Sequence, residues 1–421
     1  MREEIKVATA AAIGIAFEFY DFLIFGFISS TISALFFPSE NPIASLLSTF
    51  AAFATGFIGR PIGAIVFGHL GDRIGRKYSL IITITMMGVS SVLIGLLPTY
   101  YQIGTLASIL IVILRFLQGF SLGGEFGGGI VLAAEFAKSN ERAYIVGLAN
   151  SAQGIGPLIA TGLILLFSVL LSPSDFNSYG WRILYILGGL IAVIGVYIRL
   201  KISESPIFYK LRERNQIARV PLSDAFRSNW KEILIGIGFI VGGTTMTYTT
   251  GVFASSYLQT VIKLPTYLAS SALLIGYVTL SVLSPLWGRL SDKVGRKPLM
   301  IAEAVGLLLF VYPYFLLLST GNFLIIVLAQ VVAQTIFSMA NGAYPAALSE
   351  MFPTSVRYTA LSFVYHVGVA AFGGTTPYIN TYLIYVTKNN LAPVYWGVFG
   401  MLVTLVAYLI YKETKGTEFE S

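Results

Sequence analysis

Five ionisable residues stand inside long apolar stretches of the first half of the chain: Glu18, Asp21, Arg60, Arg115 and Glu125. A charge far from water is costly, so such residues face protein or a water-filled cavity and mark function by default. Glu18 and Asp21 are three apart, which on a helix puts both carboxyls on one face. Two neighbouring carboxylates in a low dielectric cannot both ionise cheaply, so one holds a proton until an arginine comes close. The chemistry open to this set is reversible proton binding tied to movement, with Asp21, Glu18, Arg115 and Glu125 as its members. Permanent structural ion pairs are the bland alternative, and buried pairs of that kind add little stability. Arg60 has a second use, because a guanidinium suits bidentate contact with a carboxylate. At a rise of ~1.5 Å per residue, Asp21 lies about 21 Å along from Val7 and Arg60 about 18 Å from Asp72. Both depths fall near the middle of a hydrocarbon core ~30 Å thick.

The second half has few embedded charges. His366 lies about 14 Å beyond Arg357 on the same helix. Tyr248, Gln330, Asn341 and Tyr344 are polar positions in apolar runs, and each alone is more often a helix–helix hydrogen bond. Together with Arg60, Tyr20, Gln118 and His366 they are the candidates for substrate contact. Glu303 opens an apolar run and is expected to pair with Arg296 or Arg357 at the cytoplasmic edge.

The elements that must position these residues are membrane spans. Of the 421 residues, 56% are hydrophobic and 11% charged, with a mean hydropathy of +0.78. A soluble domain carries about a quarter charged residues. Stretches able to cross a bilayer, each needing about 20 apolar residues, fall at 7–37, 44–70, 79–98, 105–136, 143–172, 181–200, 232–260, 267–290, 299–319, 322–350, 358–386 and 391–411. The first carries two acids, unlike a cleavable signal peptide, and is expected to remain. If both termini are cytoplasmic, every basic residue except Arg60, Arg115, Arg182, Lys263 and Lys388 lies on the inner side. The net charge of +7 is then the positive-inside signal rather than a nucleic-acid patch.

Other classes are excluded on motif grounds. With no cysteine and only His69 and His366, neither thiol chemistry nor a zinc motif is available. No phosphate-binding G-x-x-x-x-G-K-[ST] loop occurs. The chain is therefore expected to be no enzyme, to need no cofactor or metal, and to draw energy from gradients.

The halves repeat. Gly68-His69-Leu70-Gly71-Asp72-Arg73-Ile74-Gly75-Arg76-Lys77 follows the second span, and Gly288-Arg289-Leu290-Ser291-Asp292-Lys293-Val294-Gly295-Arg296-Lys297 follows the eighth. Glu135 precedes Arg142 as Glu350 precedes Arg357. Such charged turns can pair across helix ends and hold one side shut. The expected cytoplasmic latch comprises Asp72, Arg73, Arg76, Glu135, Arg142, Asp292, Arg296, Glu303, Glu350 and Arg357. The plan is two six-helix bundles, 1–200 and 231–421, joined by a charged cytoplasmic linker at 201–230, rocking around a midplane site.

The repeated G-x-L-x-D-x-x-G-R-K turn resembles the signature of the major facilitator superfamily. Glu18-Phe19-Tyr20-Asp21-Phe22, Arg60-Pro61-Ile62-Gly63, Arg115-Phe116-Leu117-Gln118-Gly119, Gly123-Gly124-Glu125, Trp181-Arg182, Glu204-Ser205-Pro206 and Glu350-Met351-Phe352-Pro353 resemble its metabolite:proton symporters, carriers of citrate, 2-oxoglutarate, shikimate and proline or betaine. Phe19, Ser203 and His366 depart from that pattern. The resemblance spans nearly the whole chain. It implies an all-α membrane protein of twelve transmembrane helices in two pseudo-symmetric bundles, acting as a monomer in the cell membrane. The expected function is proton-coupled symport of a small metabolite, an organic acid on the strength of two embedded arginines. Uncoupled facilitation or exchange of a zwitterion or polyol is the alternative. A transporter-like sensor is another, disfavoured by the short charged tail at 412–421.

Overall fold

A computed structural model describes residues 3–74, 76–123, 125–201, 221–353 and 356–419. The linker at 201–230 falls mostly outside them, as do the side chains of Asp72, Arg73, Arg76 and Glu125. The described residues form twelve long helical segments and no strand. These are α1 (Glu3–Phe27), α2 (Pro42–Ile74), α3 (Arg76–Leu96), α4 (Thr105–Phe136), α5 (Arg142–Leu170), α6 (Trp181–Lys201), α7 (Asn229–Thr260), α8 (Thr266–Val294), α9 (Arg296–Ser319), α10 (Phe323–Glu350), α11 (357–387) and α12 (Pro393–Ile410).

Ten contain stretches long and apolar enough to cross a membrane. In α3 the apolar stretch, Ile81–Leu96, is shorter. In α11 a π-helical turn at Val369–Gly373 interrupts the helix. A second π turn, Thr249–Phe253, widens α7. The first span, read as continuous over 7–37, breaks at Ile28, which leaves helical geometry just before Ser29-Ser30-Thr31, and a short helix Ser29–Phe36 follows. Leu96, Val193, Leu309 and Leu324 are each more than half exposed on the outer surface. An apolar exterior of this kind suits lipid rather than water.

In the first bundle α2 packs on α4, α3 on α6 and α1 on α5. In the second, α7 packs on α12 and α10 on both α8 and α9. Between bundles, α5 lies against α8 and α2 against α11. The α2–α4 crossing is a backbone contact. A Cβ at Gly119 would stand 1.5 Å from the Gly56 carbonyl oxygen, and one at Gly63 would stand 1.8 Å from that of Phe120. Only glycine permits this approach, and it brings Arg60 on α2 close to Arg115 and Gln118 on α4.

Candidate functional site

Asp21 on α1 is buried, and both its carboxylate oxygens are engaged. The Ser91 hydroxyl of α3 donates to one, and Gln118 Nε2 donates to the other at 2.9 Å. Gln118 Oε1 in turn accepts from Arg115 Nη1 at 2.8 Å. Arg115 therefore reaches Asp21 through Gln118 rather than by a direct ion pair. Gly188 on α6 leaves the room, since a Cβ there would meet Asp21 Oδ1 at 2.5 Å.

One turn away, Glu18 pairs with Arg60 at 3.5 Å, with both side chains buried. The Phe22 ring contacts both arginines, each guanidinium lying 4.2 Å from its centroid. Phe57 also lies against Arg60, at 4.9 Å, and Phe25 lies 4.7 Å from Arg115. Two acid–arginine centres thus share one aromatic ring. Such cation–π contacts gain strength where water is excluded.

A cavity lies between the bundles. Phe19 and Gln153 line it from the first bundle, and Phe239, Thr244, Tyr248, Glu303, Phe337, Asn341, Tyr344, Tyr365 and Tyr408 are among those lining it from the second. Among its described lining residues Glu303 is the one charged group. Gln153 donates to the Tyr344 hydroxyl at 3.0 Å, and Asn150 donates to Asn341 Oδ1 at 2.9 Å, tying α5 to α10 at the cavity floor.

The bundles touch at both ends of the cavity. At one end Ser255 donates to the Phe27 carbonyl at 2.8 Å and Ser30 to Gln259 at 3.0 Å. The opposite end, which carries the C-terminal tail, is closed by charge. Asp292 accepts the backbone N–H groups of Ala143 and Tyr144, both at 2.9 Å, at the start of α5, where a helix favours negative charge. Arg142 of the first bundle pairs with Glu350 of the second at 2.9 Å, and Arg357 of the second with Glu135 of the first at 3.2 Å. Arg296 pairs with Asp292 at 2.7 Å and with Glu350 at 2.9 Å.

The tail crosses this seam. Glu413 accepts from the backbone N–H groups of Arg296 at 3.1 Å and Lys297 at 2.9 Å. Thr414 donates to Glu350 at 2.7 Å, and the Thr417 carbonyl accepts from Arg142 at 2.7 Å. The Phe419 ring lies against both cross-bundle arginines, 3.7 Å from Arg142 and 3.6 Å from Arg357. Burial pushes the Glu413 carboxyl up, but the backbone amides of Lys297, Arg296, Lys415 and Thr414 outweigh it and hold it below the usual carboxylate range.

The sequence profile of the Major Facilitator Superfamily matches residues 10–369. The chain belongs to that superfamily. It is a multi-pass membrane transporter, not an enzyme, and its cargo is a small molecule. It is 34% identical to the inner membrane metabolite transport protein YhjE of Escherichia coli K12 over 97% of this chain and 94% of that one. It is 30% identical to the glycine betaine/proline/ectoine/pipecolic acid transporter OusA of Dickeya dadantii over 97% and 83%. Its fold matches the partially occluded, inward-open xylose transporter XylE of E. coli with a TM-score of 0.77 and 20% identity, covering 99% of this chain and 100% of that one.

The transporter brings some expected residues together and separates others. Tyr248, Asn341 and Tyr344 line the cavity. Arg60 and Gln118 are engaged in the two acid centres instead, and Tyr20 donates to the Leu184 carbonyl at 3.0 Å. Gln330 bonds the Thr250 carbonyl and the Tyr314 hydroxyl, joining α10 to α7 and α9. His366 is buried edge-on to Tyr365, outside the cavity lining. Glu303 is not in the charged closure, because Arg296 and Arg357 are taken by other acids; it lines the cavity.

Sequence reasoning missed Ser91, Gln153 and Phe419. Asn150 and Gln153, two polar residues three apart in an apolar run, were a legible signal; nothing in the sequence marked Ser91 or Phe419.

Proposed function

We propose that this transporter is a proton-coupled symporter of a small zwitterion bearing an ammonium group, working by alternating access in the cell membrane with both termini cytoplasmic. Substrate charge rests on one observation. The embedded arginines are committed to Glu18 and to the Gln118–Asp21 chain, so among its described lining residues the cavity offers no cation and one carboxylate. An organic acid, the cargo expected from those arginines, would enter such a cavity without a counter-charge, whereas a zwitterion brings its own. Three of the named substrates of OusA, glycine betaine, proline and pipecolic acid, belong to that chemical class.

Coupling rests on Asp21. Its neighbour Phe19 lines the cavity while Asp21 itself faces α3 and α4. A shift of α1 on substrate binding therefore acts on the Ser91–Asp21–Gln118–Arg115 chain. A proton taken by Asp21 replaces the Gln118 contact and frees Arg115, and closure of the empty carrier restores it.

The test is uptake into proteoliposomes under an imposed pH gradient, comparing labelled proline and glycine betaine with labelled citrate and 2-oxoglutarate. Gradient-driven accumulation of the zwitterions alone is expected. Accumulation of the acids alone would refute the substrate reading.

A further inference from the structure

We infer that Glu303 is the ammonium-recognition site of the cavity, reading the cationic pole of the substrate together with the aromatic walls around it. The inference rests on the zwitterion reading above and goes further by naming the residue that discriminates. Glu303 sits on α9, fully buried, and neither carboxylate oxygen has a hydrogen-bond partner among the described residues. Arg296, two turns earlier on the same helix, is held by Asp292 and Glu350. A buried carboxylate left unsatisfied by its own protein is a standing cost that a ligand can relieve. Glu303 lines the cavity between the bundles.

The surroundings select the kind of cation. Phe19, Phe239, Tyr248, Tyr365 and Tyr408 line the same space. Aromatic faces attract alkylated ammonium groups, whose diffuse charge needs no hydrogen-bond acceptors. A metal ion would want several oxygen ligands, and no group of three or more acidic or histidine side chains exists among the described residues. The neutral hydroxyls of Thr244 and Tyr248 remain for the anionic end of the substrate. Glu303 and the rings thus form a cation pole in the second bundle, apart from the proton-linked acids of the first.

The test uses the purified full-length carrier in lipid nanodiscs and a pair of ligands of one shape. Glycine betaine carries a trimethylammonium group, and 3,3-dimethylbutanoate replaces its nitrogen by carbon. Calorimetry should show the wild type preferring betaine. Glu303→Gln should weaken betaine binding on the order of 30-fold or more, the loss of one desolvated charge contact, and leave the isostere unchanged. Glu303→Asp should keep the preference in weaker form.

A wild type that does not bind betaine but binds citrate would sink the zwitterion reading itself. Preserved preference in Glu303→Gln, or equal losses for both ligands, would overturn only the role of Glu303. So would a variant that keeps its selectivity but loses proton movement. Should Glu303→Gln fail to fold, mass-spectrometric mapping of carbodiimide modification at Glu303 in the wild type decides. Protection by betaine and not by the isostere is expected, and no protection would overturn the inference.

Discussion

Glu350→Gln should loosen the tail-side closure by an amount the geometry sets. Glu350 accepts from Arg142 across the bundles and from Arg296 within its own bundle, both at 2.9 Å. The Arg296 contact persists whether the bundles are together or apart, so it drops out of the opening equilibrium. The Arg142 contact exists only in the closed form. A charge-assisted hydrogen bond contributes roughly 1.5–3 kcal/mol, so its loss should raise the population open on this side by about 10- to 150-fold. The chain has no cysteine, and Ser281→Cys supplies a single reporter where α8 meets Gly154 of α5. Its labelling rate by an impermeant maleimide applied from the tail side should rise by that factor in Glu350→Gln. Arg142→Gln should do the same, and the double mutant should add little, as partners in one contact do. An unchanged rate in well-folded Glu350→Gln carrier would refute the reasoning.

Other perturbations follow from single contacts. Phe419→Ala removes the ring under Arg142 and Arg357 and should raise labelling of the same reporter severalfold; no change would make the tail a bystander. The depressed Glu413 carboxyl stabilises the docked tail above its ordinary titration range and ceases to as pH falls through its lowered value, beneath the usual carboxylate range. Protection from hydrogen exchange over 412–419, taken against the intrinsic rate at each pH, should therefore be high at neutral pH, low in acid, and low at neutral pH in Glu413→Gln. Gly119→Val drives a side chain into the Gly56 carbonyl and should prevent recovery of monodisperse protein, read by size exclusion. Arg60→Lys loosens the Glu18 pair and should reduce uptake of charged and neutral substrates alike; a loss confined to acids would restore Arg60 as a carboxylate contact.

The spans and the two-bundle plan were legible because membrane solvation imposes a coarse pattern on the chain: long apolar runs, with basic residues gathered between them. The charged closure was legible for a related reason. Glu135/Arg142 and Glu350/Arg357 repeat at equal spacing, although the spacing could not reveal that each arginine pairs with the other bundle's acid. Partner choice inside the membrane was less accessible. Arg60 and Arg115 are both embedded, but which faces the cavity depends on helix rotation, fixed by the glycine crossing of α2 and α4. Glu303 looked like an edge residue from its place in the chain, seven positions beyond Arg296. The face of α9 it occupies, and the capture of Arg296 by Asp292 and Glu350, turn it to the cavity instead. Ser91 carried no signal, since a serine in a span is usually bonded to its own helix.

Proton entry driven by substrate tests the coupling most directly. Proteoliposomes containing the carrier and an internal pH dye, with no gradient imposed, should acidify inside when glycine betaine is added outside. Asp21→Asn should abolish that acidification while still exchanging labelled for unlabelled betaine. Betaine entry without acidification in the wild type, or acidification that survives in Asp21→Asn, would contradict proton-coupled symport through Asp21.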